Sequence, residues 1–157
     1  MSVTHKLYNI GNKEIVNRRL NWEDEKIRIT LLYSYENIFN PRHNIFRDID
    51  YFEIGCERQM LKNKKTIIFQ GQKIFMADNV TWDGSFAATA AVMYYNDEVQ
   101  ILLSYIDFGG IEYSIDGEFK IIWHEKGIYL TKENPSLDRK GEEQEWKKKS
   151  WLQRLFC

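Results

Sequence analysis

The chain has 157 residues, of which 43% are hydrophobic and 15% aromatic, a composition that excludes a disordered protein and fits one domain over residues 1–157. A net charge of −1 gives no general attraction to nucleic acid or to an anionic membrane, and no apolar run reaches the roughly 20 residues that span a bilayer. Two cysteines are too few for a disulfide framework, so we expect a reducing, cytoplasmic compartment.

The first third of the chain predicts short elements. Residues 1–12 are mostly polar with a few apolar anchors, and they predict an edge strand. Residues 13–20 predict a short helix of low intrinsic propensity, because asparagines interrupt and flank it. From Ile27 to Tyr33 every second residue is apolar, which predicts a strand with one strongly apolar face.

Residues 45–61 predict a mid-chain helix. Asn44 is a suitable N-cap, and apolar side chains follow at spacings of three and four residues: Ile45, Ile49, Phe52, Cys56 and Met60. A glycine at position 55 costs about 1 kcal/mol relative to alanine inside such a helix. A strand stays open as the alternative, because residues 51–55 also alternate.

A hairpin is predicted around Gln70-Gly71-Gln72, and an antiparallel meander of five strands follows a loop at 78–85. The strands are expected at 86–95, 99–106, 111–115, 119–124 and 128–131, with Val99, Ile101, Leu103 and Tyr105 packed against Ile111, Tyr113 and Ile115. Between them lie residues that tolerate positive φ, as hairpin turns require: Asn96-Asp97, Gly109-Gly110, Asp116-Gly117 and Lys126-Gly127.

Residues 137–157 predict a C-terminal helix, with glutamates early and lysines late, as the helix dipole favours. Together these elements predict an α+β fold. Its centre is a mainly antiparallel, twisted sheet of seven to eight strands, with the mid-chain helix and the C-terminal helix packed on one face.

The predicted hairpins sort the loops between two ends of the sheet. Strand direction alternates in a meander, so the loops 78–85, 107–110 and 125–127 fall at the same end. That end collects four carboxylates and two aromatic side chains: Asp78, Asp83, Asp107, Glu125, Trp82 and Phe108. Aromatic residues dominate binding hot spots, and charge steers the encounter. The alternative is that these loops are polar only because they are turns, with Trp82 folded over the sheet edge.

Patterns typical of catalysis or metal binding are sparse. The three histidines lie far apart, and neither His-x-x-x-His nor Cys-x-x-Cys occurs, so we expect no metal and no cofactor. A ribonuclease needs only proton transfer and charge stabilisation, which His43 and His124 could supply while Lys120 or Arg42 holds the phosphate. A sheet protein that encloses a small apolar ligand is a further alternative.

We therefore expect a non-enzymatic protein-binding module, in which the six loop residues contact a basic protein. An inhibitor or immunity protein that neutralises a basic toxin represents this kind of module. The expectation is an analogy with a general class of small binding proteins, because the chain contains no motif that indicates a particular family. Neither a membrane nor a nucleic acid is expected as a partner.

Overall fold

The computed structural model describes residues 4–16, 20–123, 128 and 155–156. Within these ranges the backbone forms one α-helix and eight strands. In chain order the elements are β1 (Thr4–Leu7), α1 (Asn9–Val16), β2 (Ile27–Leu32), β3 (Gln59–Met60), β4 (Lys65–Phe69), β5 (Gln72–Met76), β6 (Val80–Tyr95), β7 (Leu102–Ile121) and β8 (Leu155–Phe156).

Six of the strands form the main sheet, and every pair in it is antiparallel. The order is β1-β7-β6-β2-β3, with β8 paired to the last residues of β7. The strands β4 and β5 form a separate hairpin. The predicted architecture is thus confirmed in outline, as a β-rich and mainly antiparallel fold. None of the described helical residues forms a segment long and apolar enough to cross a membrane.

Two strands and a hairpin predicted in the first half of the chain are confirmed, whereas the short helix predicted at 13–20 begins earlier and is α1 at Asn9–Val16. The strand predicted from Ile27 is confirmed as β2, and the predicted edge strand is confirmed as β1, which pairs with residues 104–107. The hairpin around Gln70-Gly71 is also confirmed, and these two residues have φ angles of 50° and 78°. Positive φ at both positions suits the twist of a two-residue hairpin turn.

A long two-stranded ribbon of β6 and β7 replaces the predicted meander. The chain reverses once, in the loop 96–101, and β7 then continues through Gly109-Gly110 and Asp116-Gly117. The turns predicted at those two pairs are wrong, and so is the loop predicted at 78–85, because β6 begins at residue 80. Glycine marks irregularities inside strands as well as turns, and the ribbon register shifts at 84/86 and 88/90.

These irregularities bend the ribbon sharply. Phe108 and Phe119 are eleven residues apart, which corresponds to about 36 Å along a straight strand, yet their ring centroids lie 5.9 Å apart. Gly84, where the register shifts, has a φ of 131° that only glycine adopts readily. Trp82 completes the contact, with its ring 6.1 Å from that of Phe119. At the bend the ribbon thus curls around an aromatic core and leaves Tyr113 and Ile115 on its outer side.

The main sheet has a hydrophobic cluster on each face. Alternate residues of β6 divide between the clusters, with Ala91, Met93 and Tyr95 in the larger one and Ala90, Val92 and Tyr94 in the smaller. The larger cluster lies inside the bend and includes Trp22, Phe75, Trp82, Phe108 and Phe119. The smaller cluster lies on the opposite face, under the segment 38–52.

The mid-chain helix predicted at residues 45–61 is wrong. Phe46–Asp48 and Asp50–Phe52 form two single 3-10 turns, and a short strand follows them. The C-terminal helix predicted at residues 137–157 lies outside the described residues, apart from β8.

Backbone hydrogen bonds to the sheet explain the failed helix. The Ile54 N–H donates to the carbonyl oxygen of Leu31 at 3.1 Å, and the Phe46 N–H donates to that of Gln100 at 2.9 Å. In a helix over residues 45–61 the Ile54 N–H would bond within the helix, whereas the Phe46 N–H would lie in the first turn and lack an intrahelical acceptor. Pairing with distant strands therefore outweighs the helical spacing of the apolar side chains.

Candidate functional site

The two aromatic residues of the predicted partner-binding site are buried in the core. Trp82 is 2% exposed and donates its indole N–H to the carbonyl oxygen of Glu57 at 2.6 Å. Phe108 is completely buried. The expectation that both are exposed on one surface is wrong, because each belongs to a strand and faces the inside of the bend.

The carboxylates of the predicted site are spread along the ribbon. Asp78 and Asp83 are exposed at the start of β6, whereas Asp107 is half-buried on β7. In the ribbon register Asp107 stands opposite residue 90, seven residues along β6 from Asp83. The carboxylates were expected to be close because of turns at 109–110 and 116–117. This reason is wrong, since β7 runs through both positions. Glu125 lies outside the described residues, and a partner-binding role for these carboxylates stays a prediction.

The residues of the ribonuclease alternative are described only in part. His43 is half-buried in the segment 38–52, and its Nδ1 atom is buried without a hydrogen bond to any described residue. Its charge is one of the causes that lower the pKa of Asp48, after the N–H groups of Asn44 and Ile45. His124 lies outside the described residues. Among the residues that are described, no group of three metal-ligating side chains comes together.

A patch of aromatic and apolar side chains is formed by the outer face of β7 and the loop after β2, and we call it the tyrosine face: Tyr33, Tyr35, Tyr113 and Ile115. Tyr35 is 89% exposed and Ile115 is 80% exposed. The rings of Tyr33 and Tyr35 meet edge to face, with centroids 5.2 Å apart. A hydrogen bond with Tyr35, burial and the proximity of Tyr35 and Tyr113 raise the pKa of Tyr33. The phenol of Tyr33 therefore has Tyr35 and Tyr113 as neighbours and stays protonated at neutral pH.

The strand geometry explains why these side chains point outward. Tyr113 and Ile115 flank Ser114, which is buried and donates its hydroxyl to the carbonyl oxygen of Gly84 at 2.8 Å. Successive side chains of a strand point to opposite faces, so the neighbours of a buried serine project into solvent. The residue opposite Tyr113 is Ala87, whose methyl group is too small to cover a tyrosine ring.

A cleft of about 250 Å³ adjoins the tyrosine face, and we call it the acidic cleft. Tyr35 belongs to both features. The cleft contains two carboxylates, and no basic side chain is among the described residues that line it. Its lining consists of Ser34, Tyr35, Glu36, Asn37, Thr89, Tyr105, Asp107, Gly110 and Ile111. It is open to solvent and mixed in polarity, unlike the enclosed apolar cavity that the small-ligand alternative requires.

Hydrogen bonds hold one wall of the acidic cleft in place. The Ser34 N–H donates to the Thr89 hydroxyl at 3.0 Å, which ties the loop after β2 to the adjacent β6. The Glu36 N–H donates to the Ser34 hydroxyl at 3.1 Å and forms a tight turn. The Glu36 carboxylate is therefore presented from an anchored turn rather than from an extended loop.

The sequence reasoning missed the tyrosine face because it assigned the same residues to the core. Residues 111, 113 and 115 alternate with polar neighbours, and this pattern was expected to pack against residues 99–105. That pairing is wrong, since β7 pairs with β6 along its whole length and leaves Tyr113 and Ile115 outside. Period-two alternation identifies two faces of a strand and does not tell which face is covered.

Searches against protein-family models, curated proteins and solved structures find no match to this chain. The tyrosine face and the acidic cleft are therefore interpreted from their own geometry and chemistry.

Proposed function

We propose that this protein is a non-enzymatic, cytoplasmic binding module that captures a basic protein through the tyrosine face. The observation that carries the proposal is the exposure of Tyr35, Tyr113 and Ile115 around the half-buried Tyr33. An inhibitor or immunity protein that neutralises a basic toxin is the specific form of the proposal.

The chemistry of the tyrosine face supports protein binding. Tyrosine is enriched at binding hot spots, because it offers a large rigid ring and a hydroxyl at a small cost in side-chain entropy. An exposed isoleucine beside the rings adds apolar area that a partner can bury. A group of large apolar side chains at one place is more informative than the same side chains scattered singly.

The charge beside the tyrosine face supports a basic partner. Glu36 and Asp107 lie in the adjoining cleft, and Asp83 and Glu118 face each other further along the ribbon. Two lysines lie close to these acids, with Lys6 3.5 Å from Asp107 and Lys120 3.7 Å from Glu118. Carboxylates therefore outnumber cations around the ribbon, which favours faster encounter with a positively charged surface.

Site-specific crosslinking in cells of the source organism tests the proposal. A photoreactive benzoylphenylalanine replaces Tyr113 in one variant and Ile68 in a matched control, because Ile68 is 71% exposed on the separate β4–β5 hairpin. We expect a discrete adduct with a basic protein from position 113 and none from position 68. Identical adduct patterns from both positions would count against the tyrosine face.

The affinity for the captured protein gives the second measurement. Ile115→Ser is expected to weaken binding about tenfold or more, because truncating a hot-spot side chain costs over 1.4 kcal/mol. Ile68→Ser makes the same chemical change at a similarly exposed site, and we expect less than a twofold effect. Equal effects of the two substitutions would contradict the proposal. For an inhibitor, saturating binding should also suppress the activity of the captured protein.

A further inference from the structure

A tyrosine side chain forms part of the wall of the acidic cleft. Tyr105 is 3% exposed as a whole residue, and its hydroxyl is not among the polar atoms that the described residues enclose completely. Burial, followed by the proximity of Asp107, raises its pKa to about 12, so the hydroxyl is neutral at physiological pH. A hydroxyl in the wall of an open cleft can exchange water for a polar atom of a ligand.

Asp107 shares a strand face with Tyr105, because the two residues are separated by one position on β7. One oxygen of Asp107 accepts the Gly109 N–H at 2.9 Å, which fixes the carboxylate in the wall of the cleft. The other oxygen lies 3.5 Å from the Lys6 ammonium group. An ionised carboxylate has about four acceptor positions, so these two contacts leave capacity for further donors.

Lys6 is a cation of this chain that contacts the rim of the acidic cleft. Its ammonium group contacts Asp107 and also lies 5.4 Å above the centre of the Phe39 ring. The ring of Phe39 in turn contacts the ring of Tyr105 at 5.5 Å. The chain's own cation is thus held by a carboxylate and an aromatic ring, the combination that stabilises cations at protein surfaces.

We infer that the acidic cleft is the subsite for one arginine side chain of the partner. Glu36 and Asp107 would accept from the guanidinium group, the Tyr105 hydroxyl would accept one of its N–H groups, and Tyr35 would cover its plane. Arginine fits better than lysine, because a planar guanidinium offers five donors to several acceptors and stacks on aromatic rings. This inference rests on the proposed function, since it assigns the arginine to the protein that binds the tyrosine face.

Methylguanidinium, which reproduces the end of an arginine side chain, is the probe that tests the subsite. It is titrated into the full-length protein and followed by amide NMR shifts of the lining residues Thr89 and Gly110. We expect saturable shifts at these residues and none with N-methylurea, a neutral molecule of similar shape. Equal shifts with both compounds, or none with methylguanidinium, would overturn the inference.

Three substitutions make the test specific. Glu36→Gln and Asp107→Asn each remove one carboxylate charge, and each is expected to weaken methylguanidinium binding about tenfold. Glu36 is exposed, so Glu36→Gln should fold normally. It therefore still tests the subsite if Asp107→Asn fails to fold. Lys6→Gln removes the competing cation and should tighten binding about twofold, an effect that a merely destabilised protein would not show. Unchanged affinity in both carboxylate variants would overturn the inference.

The two proposals can fail separately. Methylguanidinium binding needs no partner, so its absence together with a specific adduct at position 113 removes the subsite and leaves the tyrosine face. Conversely, methylguanidinium binding without any effect of Ile115→Ser on the captured protein keeps the subsite and rejects the tyrosine face.

Discussion

Two buried hydroxyl groups differ in their hydrogen bonding, and their removal should therefore have opposite effects. The Thr30 hydroxyl is completely buried and donates to the Glu53 carboxylate at 2.9 Å. The same carboxylate accepts two hydrogen bonds of 2.8 Å from the Arg58 guanidinium group. The Tyr8 hydroxyl is buried as well, but it makes no hydrogen bond to a described residue.

We expect Thr30→Val to lower the free energy of unfolding by about 1–3 kcal/mol, because the half-buried Glu53 carboxylate loses one donor. Tyr8→Phe is expected to leave the free energy of unfolding unchanged or to raise it by about 0.5 kcal/mol, since its hydroxyl is desolvated without compensation. Both substitutions remove a single hydroxyl and nearly preserve shape. Denaturant unfolding followed by tryptophan fluorescence measures both, and a larger loss for Tyr8→Phe would contradict the expectation.

At the scale of elements, the helix α1 approaches β7 so closely that it has room for glycine alone at one position. A Cβ atom at Gly11 would overlap the carbonyl oxygen of Leu103 and lie 2.8 Å from its Cα atom. Backbone atoms cannot rotate away as a side chain can. The close approach brings Tyr8, just before the helix, into the smaller hydrophobic cluster.

Gly11→Ala should therefore destabilise the protein, although alanine normally stabilises a helix by about 1 kcal/mol relative to glycine. We expect the free energy of unfolding to fall by about 1–3 kcal/mol, as overpacking of a close contact does. Gly55→Ala is the matched control, because a Cβ atom there meets nothing within 4 Å. Its expected change is a gain of at most about 1 kcal/mol. A stabilising Gly11→Ala would show that helix and strand separate easily.

The elements that could be predicted from the sequence are those held by neighbouring residues. The β4–β5 hairpin depends on Gln70-Gly71, whose positive φ angles are local properties. The pair Asp116-Gly117 has the same composition signature but lies inside β7, where residue 117 stands opposite Gly84. A distant strand therefore decides whether a glycine pair reverses the chain or permits a bend, and no local pattern contains that information.

At the scale of the whole molecule, Phe119 connects the two arms of the bent ribbon through ring contacts. Its ring contacts Trp82 at 6.1 Å and Phe108 at 5.9 Å, and all three side chains lie in the larger cluster. The outer face of the same bend carries Tyr113 and Ile115. The presentation of the tyrosine face therefore depends on this aromatic contact.

Phe119→Ala is expected to lower the free energy of unfolding by about 3–5 kcal/mol, because it removes a fully buried ring and leaves a cavity. Ile115 lies four residues away on the exposed face. Ile115→Ala should therefore change the free energy of unfolding by no more than about 0.5 kcal/mol. Chemical denaturation of the two variants under the same conditions measures the difference. Similar stabilities would mean that the bend does not depend on the aromatic core.

A β-rich and mainly antiparallel fold, the strand β2, the β4–β5 hairpin and the edge strand could be predicted from the residues alone, because these follow from composition, alternation and local φ preferences. Long-range packing was needed to show that β7 is unbroken, that Trp82 and Phe108 are buried, and that Tyr113 and Ile115 are exposed. The physical reason is that alternation defines two faces of a strand without saying which face is covered. Burial is decided by segments distant in sequence, which cover both faces of the ribbon at residues 90–95 and leave the outer face open at Tyr113 and Ile115.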